Sequence, residues 1–227
     1  MKKKDHELIE TVEHIAKVSQ DMQDLILTMR MVPIDRIFNR FPRMVRGLAK
    51  DLDKEIDLEI IGAKTELDRT VIDEIGDPLV HLIRNSIDHG IETSAERKKA
   101  GKSSGGRLVL RAFHSGNHVF IEIEDDGAGI NREKVVQKAI ENGLITSDRA
   151  DDLKDEDVYQ LILASEFSTA DKVSDVSGRG VDLDAVSKKI ESLGGHNSIE
   201  SEHGQGSKFS IQLPLTLSLL SSLLVNV

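Results

Sequence analysis

The chain has 227 residues, enough for one well-buried domain with an appendage, because domains usually contain about 100 to 200 residues. Its 40 acidic residues against 30 basic ones give a net charge of -10, so we expect it to repel polyanions and to have no nucleic-acid partner. The absence of cysteine excludes a disulfide framework and a thiolate metal site, and it is typical of a cytoplasmic protein.

The N-terminal segment has the heptad spacing of a helix that packs on another helix. Apolar or small residues recur from Leu8 to Met29 in alternating steps of four and three, with charged residues between them. The spacing predicts a dimerisation helix, although a helix packed on its own domain has a similar pattern. Pro33 and Pro42 then divide the next stretch into short helical pieces. We interpret residues 1–50 as part of a dimerisation helix followed by a connector.

A globular domain is predicted for residues 51–215. It begins with the alternating apolar and acidic residues of 56–60, which indicate a strand. Asp77 followed by Pro78 is an entry signal for a helix, and we predict that this helix runs to about His89. Residues 108–113 and 119–124 alternate across Ser115-Gly116-Asn117, as expected of a β-hairpin.

The second half of this domain predicts three helices and two closing strands. The helices are expected at 131–142, 155–164 and 182–193, and the strands at 197–202 and 208–213. Strands and helices mix without a regular βαβ alternation. The sequence therefore predicts an α/β fold, a two-layer α/β sandwich with its helices on one face of the sheet.

The C-terminal stretch from Leu215 to Val227 is apolar but shorter than the roughly 20 residues that span a bilayer. We expect no direct membrane insertion. An apolar strand without neighbours indicates truncation of a larger protein, and we interpret residues 216–227 as the start of a truncated regulatory domain.

A first group of polar residues recurs on the helix predicted around residue 85. His81, Asn85, Asp88 and His89 fall at i, i+4, i+7 and i+8 and share one face. An Asn oxygen can coordinate a hard cation, and His81 is a potential proton acceptor. A solvated amphipathic helix would show the same spacing, so the group alone leaves both interpretations open.

Two glycine-containing segments are further candidates. Asp125-Asp126-Gly127-Ala128-Gly129 directly follows a strand, where an Asp could accept a hydrogen bond from the exocyclic amine of adenine, or where the chain could simply turn. Ser177 to Asp182 opens a helix, and its glycines would expose amide groups to a phosphate. This second segment has neither the Rossmann nor the Walker spacing.

The order of these segments resembles the ATPase family shared by histidine kinases, gyrase, Hsp90 and MutL. Residues 81–90 resemble its N box, 125–129 the first glycine box, 166–169 the F box and 178–180 the second glycine box. The run 81–92 and Pro-Leu-Thr-Leu at 214–217 look like the CheA family of chemotaxis histidine kinases. Residues 31–34 and 38–43 resemble the junction between its dimerisation and catalytic domains. The resemblance covers essentially the whole chain.

The resemblance implies ATP and Mg²⁺ as cofactors and a role for each matching residue. Asn85 would coordinate Mg²⁺, and His89 would contact the phosphates or the metal. His81, which stands where gyrase-type relatives have a catalytic Glu, would be the base or orienter in phosphoryl transfer. Asp125 would bind adenine. The other residues implied in ATP binding are Asp88, Gly127, Gly129, Lys134, Lys138, Ser168, Thr169, Gly178, Arg179 and Gly180.

The resemblance also implies a set of partners. A histidine on a separate phospho-acceptor domain would receive the γ-phosphoryl group and pass it to response regulators. A regulatory domain would connect the kinase to a coupling protein and chemoreceptors, in membrane-associated receptor arrays of the cytoplasm. The full-length protein is expected to be a homodimer. A gyrase-like or MutL-like ATPase is disfavoured because residue 81 is His and not Glu.

One position departs from the family pattern. CheA relatives usually continue the second glycine box as Gly-Arg-Gly-Val-Gly-Met-Asp, whereas residues 178–184 here read Gly-Arg-Gly-Val-Asp-Leu-Asp. Asp182 is a favoured N-cap residue whose carboxylate would take the amides that a phosphate would use, and its charge would repel a triphosphate. We predict weakened ATP binding or an inactive kinase. The alternatives are an Asp182 that points to solvent without effect, and a degenerate core that serves as a structural or dimerising element.

Overall fold

The structure is a computed structural model, and it describes residues 2–150, 153–163 and 183–215. Its strands are β1 (Met31–Pro33), β2 (Ile56–Ile61), β3 (Glu66–Asp68), β4 (Gly106–Ser115), β5 (His118–Asp125), β6 (His196–Glu202) and β7 (Gly206–Pro214). Its α-helices are α1 (Lys2–Arg30), α2 (Asp35–Phe38), α3 (Phe41–Asp51), α4 (Arg69–Asn85), α5 (Ser94–Lys99), α6 (Arg132–Glu141), α7 (Ser147–Ala150), α8 (Asp155–Gln160) and α9 (Leu183–Ser192). A π-helical turn (Ser86–Gly90) follows α4, and a 3₁₀ turn (Leu161–Leu163) follows α8.

Five strands form the main sheet in the order β2-β4-β5-β7-β6. The β2–β4 pair is parallel and the other neighbours are antiparallel. Buried side chains of β4, β5 and β7 join those of α3, α4 and α9 in one hydrophobic core. A smaller cluster joins α6 and α8 to Ile199 of β6. The predicted two-layer α/β sandwich is confirmed.

Helix α1 is continuous, as the heptad spacing predicts. Its last turn is held to the domain by Arg30, which donates to Asp68 Oδ1 at 3.1 Å and to Thr70 Oγ1 at 2.7 Å. Apolar side chains of the heptad remain exposed along α1, namely Val12, Ile15, Met22, Ile26 and Met29. This apolar stripe has no partner within the described part of the chain.

The connector packs against the globular domain. Its first residues form β1, which pairs antiparallel with β3, and not the helical piece that the two prolines indicate. Ile34, Phe38 and Phe41 are fully buried in the same core as α4. The boundary near residue 51 stays a prediction.

Helix α4 begins eight residues before the predicted entry at Asp77, so that prediction was wrong. Asp68 is the N-cap, and its carboxylate accepts from the Thr70 amide at 2.7 Å. Pro78 lies inside the helix and is buried. Proline removes one helical hydrogen bond, but burial of Val71 and Ile75 in the preceding turns extends the helix through it.

The remaining predicted elements agree with the structure wherever it describes them, except that the helix predicted at 155–164 is α-helical only to Gln160 and continues as the 3₁₀ turn. The β-hairpin turns at Gly116, whose φ of 58° lies in the left-handed region. Asn131 caps α6 by accepting from the Lys134 amide, and Gly143 follows the helix with a φ of 73°. The closing strands are β6 and β7. No helix within the described ranges is both long and apolar enough to cross a membrane.

Candidate functional site

The helix α4 brings two candidate residues to the edge of the domain. Its apolar face, including Leu79, Leu82 and Ile83, is buried against the sheet. His81 and Asn85 lie one turn apart on its half-buried side. Burial on one side therefore leaves the predicted proton acceptor and the predicted metal ligand at the accessible surface of the same helix.

After Asn85 the α-helix widens into the π-helical turn. The Ile91 amide donates to the Ser86 carbonyl at 2.8 Å, the i to i+5 bond of this geometry. Asp88 and His89 in the turn are exposed, and the His89 Nε2 atom lies 3.7 Å from Asp88 Oδ2. The α-helical spacing assumed from the sequence ends at Asn85. The turn therefore gives Asp88 and His89 an orientation that the sequence did not predict.

Lys54 caps the C-terminal end of the π-helical turn. Its Nζ atom donates to the carbonyls of Ile87 and Asp88, both at 2.7 Å. Burial lowers the pKa of Lys54, against the opposing effect of nearby carboxylates, of which Asp88 is the largest. Carbonyls at a helix end attract cations, but Lys54 is more than thirty residues away in sequence. No local pattern in the sequence indicates this contact.

Asp125 is the buried polar residue at the centre of the candidate site. It ends β5, is 6% exposed, and accepts from the Gly127 amide at 3.0 Å. Burial raises its pKa to about 6, although hydrogen bonds from the Gly127 amide, the Ser86 side chain and the Ser207 amide act in the opposite direction. A nearby charge on Asp126 adds to the increase. Asp125 is therefore ionised at neutral pH at a large desolvation cost.

The glycines after Asp125 are required by close backbone contacts. A Cβ atom on Gly127 would lie 2.1 Å from the Gly90 carbonyl oxygen. At Gly129 the φ is 68°, and a Cβ atom there would lie 2.2 Å from the Glu202 carbonyl oxygen. Glycine is the residue that fits both positions. The structure thus brings the first glycine box against the end of the N box.

Backbone hydrogen bonds connect three loops at this place. The Ala128 amide donates to the Gly90 carbonyl at 2.8 Å, and the Gly204 amide donates to the Ala128 carbonyl at 2.7 Å. The N box, the first glycine box and the turn between β6 and β7 are therefore one connected wall around Asp125.

Lys134 and Lys138 lie on α6, the helix that follows the glycine loop. Lys134 is exposed and Lys138 is half-buried. Among the described residues neither lysine forms an ion pair. Their role in ATP binding stays a prediction.

Ser168, Thr169, Gly178, Arg179 and Gly180, together with Asp182, lie outside the described residues. The roles implied for them remain predictions.

The residues present fit a metal ion that arrives with a nucleotide. No cluster of three or more His, Cys, Asp or Glu side chains that could hold a metal occurs among the described residues. Mg²⁺ in phosphate-binding sites uses one or two protein ligands together with waters and phosphate oxygens. The amide oxygen of Asn85 at the end of α4 is a suitable single ligand of that kind.

The chain resembles a known protein family and several curated proteins over most of its length. Residues 74–217 match the family described as histidine kinase-, DNA gyrase B-, and HSP90-like ATPase. The chain is 63% identical to the chemotaxis protein CheA of Bacillus subtilis over 98% of this chain and 33% of that protein. It is 55% identical to CheA of Listeria monocytogenes over 96% of this chain and 35% of that protein. The chain thus spans about a third of the length of these curated relatives.

Solved structures of low sequence identity share the fold. The catalytic domain of histidine kinase ThkA matches with a TM-score of 0.53 at 15% identity, over 82% of this chain and 95% of that one. A mycobacterial sensor histidine kinase, MprB, matches with a TM-score of 0.51 at 16% identity, over 81% of this chain and 95% of that one.

Proposed function

Because the chain belongs to the histidine kinase-, DNA gyrase B- and HSP90-like ATPase family, we propose that it binds Mg-ATP and transfers the γ-phosphoryl group to a histidine on a separate domain. The resemblance to CheA proteins over nearly the whole chain supports a kinase core that acts in chemotaxis. The observation that carries the proposal is the buried Asp125 carboxylate beside the glycine loop.

Asp125 is proposed to recognise adenine. One carboxylate oxygen accepts from the Gly127 amide, and a carboxylate has further lone pairs for the exocyclic amine of adenine. The low exposure of Asp125 excludes most competing water, which strengthens a hydrogen bond to the ionised group. Gly127 and Gly129 let the glycine loop pack directly against the backbone at Gly90 and Glu202, which holds this wall in place beside Asp125.

The phosphate end is proposed to lie at the π-helical turn. Asn85 would hold Mg²⁺, which when bound neutralises charge on the phosphates. Asp88 and His89 are exposed beside it, and His81, one turn earlier, would hold or accept a proton of the attacking imidazole. Lys134 and Lys138 would contribute positive charge from α6. The remaining ATP-binding residues are proposed to be Ser168, Thr169, Gly178, Arg179 and Gly180.

The partners follow from the same resemblance. We propose that the acceptor histidine belongs to another domain of the full-length protein and that response regulators receive the phosphate from it. A coupling protein and chemoreceptors would act through a regulatory domain, in cytoplasmic arrays at the membrane. The exposed apolar stripe of α1 supports a homodimer, because such a stripe is usually buried against a second helix.

A second candidate function is a degenerate core without activity. The observation that favours it is Asp182, an acidic residue at a glycine position of the family pattern. A carboxylate there would take up the phosphate-binding amides and repel the triphosphate. Such a chain would retain its fold and its dimerisation helix and contribute to signalling without nucleotide.

Phosphoryl transfer tests the proposed function directly. The chain is incubated with radiolabelled Mg-ATP and a separate histidine-containing acceptor domain, and acid-labile label on the acceptor is measured. We expect transfer, and we expect Asn85→Ala to reduce it at least about a hundredfold, because the metal loses its protein ligand. Asn39→Ala is the matched control at an exposed position away from the site. Transfer that persists in Asn85→Ala would contradict the proposed metal ligand, and no transfer by any form would favour the degenerate core.

Adenosine binding should depend on pH through Asp125. The carboxylate must be ionised to accept from the adenine amine, and its pKa is about 6 in the free protein. Affinity should be constant above about pH 7 and should fall about tenfold per pH unit below 6. Adenosine is used because it has no phosphate that titrates in this range. The dissociation constant is measured by NMR titration between pH 5 and pH 8.

The contribution of Asp125 to the stability of the free protein should change in the opposite direction over the same range. The folded-state pKa of Asp125 is raised above its ordinary value of 3.8, so its contribution to the free energy of unfolding increases as the pH falls from 6 towards 4. Loss of binding at low pH is therefore not explained by unfolding at this residue. Glu124→Gln, which removes a neighbouring exposed carboxylate, should keep the same binding profile. A flat profile would contradict the role of Asp125.

A further inference from the structure

A cluster of charged residues lies behind the first glycine box. Arg97 is 1% exposed, which is rare for an arginine. Its guanidinium donates to the Ser103 carbonyl at 2.9 Å, to Glu92 Oε2 at 3.1 Å, to Asp126 Oδ2 at 2.7 Å and to the Asp126 carbonyl at 3.1 Å. Burial without these partners would cost several kcal/mol, so the contacts fix the position of this side chain.

Lys102 reaches the same place from the loop after α5. Its Nζ atom donates to Glu92 Oε1 at 2.9 Å, to the Asp126 carbonyl at 3.0 Å and to the Gly127 carbonyl at 2.6 Å. The carboxylates of Glu92 and Asp126 balance the charges of Arg97 and Lys102. Two cations are thereby directed at consecutive carbonyls of the glycine loop.

The local structure around α5 holds Arg97 and Lys102 in position. Thr93 and Glu96 form a capping box, in which the Thr93 side chain accepts from the Glu96 amide and the Glu96 side chain accepts from the Thr93 amide. The cap fixes the first turn of this short helix, and Arg97 directly follows the capping residue Glu96. The Lys102 amide also donates to the Arg97 carbonyl at 2.9 Å, which keeps both residues together.

A single peptide unit connects these cations to Asp125. The Asp126 carbonyl and the Gly127 amide belong to the same peptide, which is planar and trans, so the two groups point in opposite directions. The carbonyl accepts from Arg97 and Lys102, while the amide donates to Asp125 Oδ1 at 3.0 Å. Orientation of the carbonyl therefore determines where the amide proton points.

The same peptide also transmits polarisation. A cation at a carbonyl oxygen withdraws electron density from the peptide and makes its amide a stronger donor. The Gly127 amide then stabilises the Asp125 carboxylate more strongly than an unpolarised amide would. Asp125 also faces the Ser86 side chain, the Ser207 amide and the charge of Asp126.

We propose that Arg97 and Lys102 are positioning residues, which fix the Asp125 carboxylate for its ligand through the Asp126–Gly127 peptide. The inference rests on the proposed function in one respect, namely that the ligand at Asp125 is adenine. The positioning of Asp125 by these two cations concerns the protein without nucleotide, and it can be tested in that state.

The test compares Lys102→Met with Lys98→Met, which removes the same charge from an exposed position on α5. Three quantities are measured by NMR in the whole chain: the exchange rate of the Gly127 amide, the pKa of Asp125 from its carboxyl carbon, and the dissociation constant of adenosine. In Lys102→Met we expect faster amide exchange, a higher pKa of Asp125, and adenosine binding weakened about three- to tenfold, the effect of losing one hydrogen bond. Lys98→Met should leave all three unchanged, and Lys102→Arg should restore them.

Arg97→Lys is a second variant that keeps the charge. A lysine lacks the planar guanidinium and cannot bond to Ser103, Glu92 and Asp126 together. Arg97→Lys should therefore change amide exchange, the pKa of Asp125 and adenosine affinity in the same directions as Lys102→Met. Unchanged amide exchange and an unchanged pKa of Asp125 in both variants would overturn the inference. If these two quantities change while adenosine affinity does not, the positioning role stands and the adenine role of Asp125 fails.

Discussion

Replacing Asp125 with asparagine should lower Mg-ATP affinity about a hundredfold. In the native chain the Gly127 amide, the Ser86 side chain and the Ser207 amide all bond to the carboxylate, which has two acceptor oxygens. Asparagine has one acceptor oxygen for these three groups and for the adenine amine. Its NH₂ group would also face a donor. A buried polar site that loses its matching partner commonly discriminates by this amount or more.

Stability separates this loss of binding from unfolding. Burial raises the pKa of Asp125, which means that the ionised carboxylate destabilises the folded protein at neutral pH. The neutral amide removes this cost but leaves a buried donor without its acceptor, and because the two effects oppose each other the free energy of unfolding of Asp125→Asn should stay close to that of the native chain.

Calorimetry with Mg-ATP and chemical denaturation measure both quantities. Glu124→Gln is the matched control, because it removes one negative charge from the preceding position on β5, whose side chain is 43% exposed. Native affinity in Asp125→Asn would exclude Asp125 from adenine recognition, and loss of affinity in Glu124→Gln would indicate a general effect of charge.

Replacing Asp182 with glycine should raise Mg-ATP affinity tenfold or more and increase phosphoryl transfer. Asp182 directly precedes α9 along the chain, in the segment that resembles the second glycine box. A carboxylate at such a position takes the free amides of a helix N-terminus, which are the donors that a phosphate would use. Its charge also repels the triphosphate, and a partly desolvated like charge commonly costs a few kcal/mol. Glycine removes both effects.

Two further variants distinguish the causes. Asp182→Asn keeps an N-cap side chain and removes the charge, so a gain as large as that of glycine would assign the effect to repulsion. Asp184→Asn removes a charge two residues later and should leave affinity near the native value. Calorimetry is run in parallel on all forms. Tight binding by the native chain would make Asp182 harmless, binding by the Asp182 variants alone would identify a disabled kinase, and binding by none would contradict the proposed pocket.

Local signals predicted the parts of the fold that local interactions determine. The β-hairpin turns at Gly116, and α6 begins at the cap residue Asn131. The entry signal at Asp77-Pro78 was misleading because the helix starts at Asp68, and burial of the preceding turns outweighs the proline. The β1–β3 pairing was not predictable, since three-residue strands have no pattern of their own and their partners are more than thirty residues apart.

The candidate site also contains one part that the sequence reveals and one that only the fold reveals. The glycine loop was recognisable because its spacing and its position after a strand are local properties. Arg97, Lys102 and Lys54 were missed because a charged residue that will be buried has the same appearance in the sequence as a solvated one. Their partners lie 24 to 34 residues away, apart from Glu92 and Ser103, which flank α5 in the sequence. Only the folded chain shows that these cations face carbonyl groups of the candidate site.

The wall of backbone hydrogen bonds around Asp125 has a consequence for how this domain can diverge. Its contacts join the Ala128 amide to the Gly90 carbonyl and the Gly204 amide to the Ala128 carbonyl, so they do not depend on which side chain residue 128 carries. Every residue except proline supplies the same amide. Mutations can therefore accumulate at this position while the spacing of the three loops is inherited unchanged, and the geometry of the wall can outlast most of the sequence that builds it.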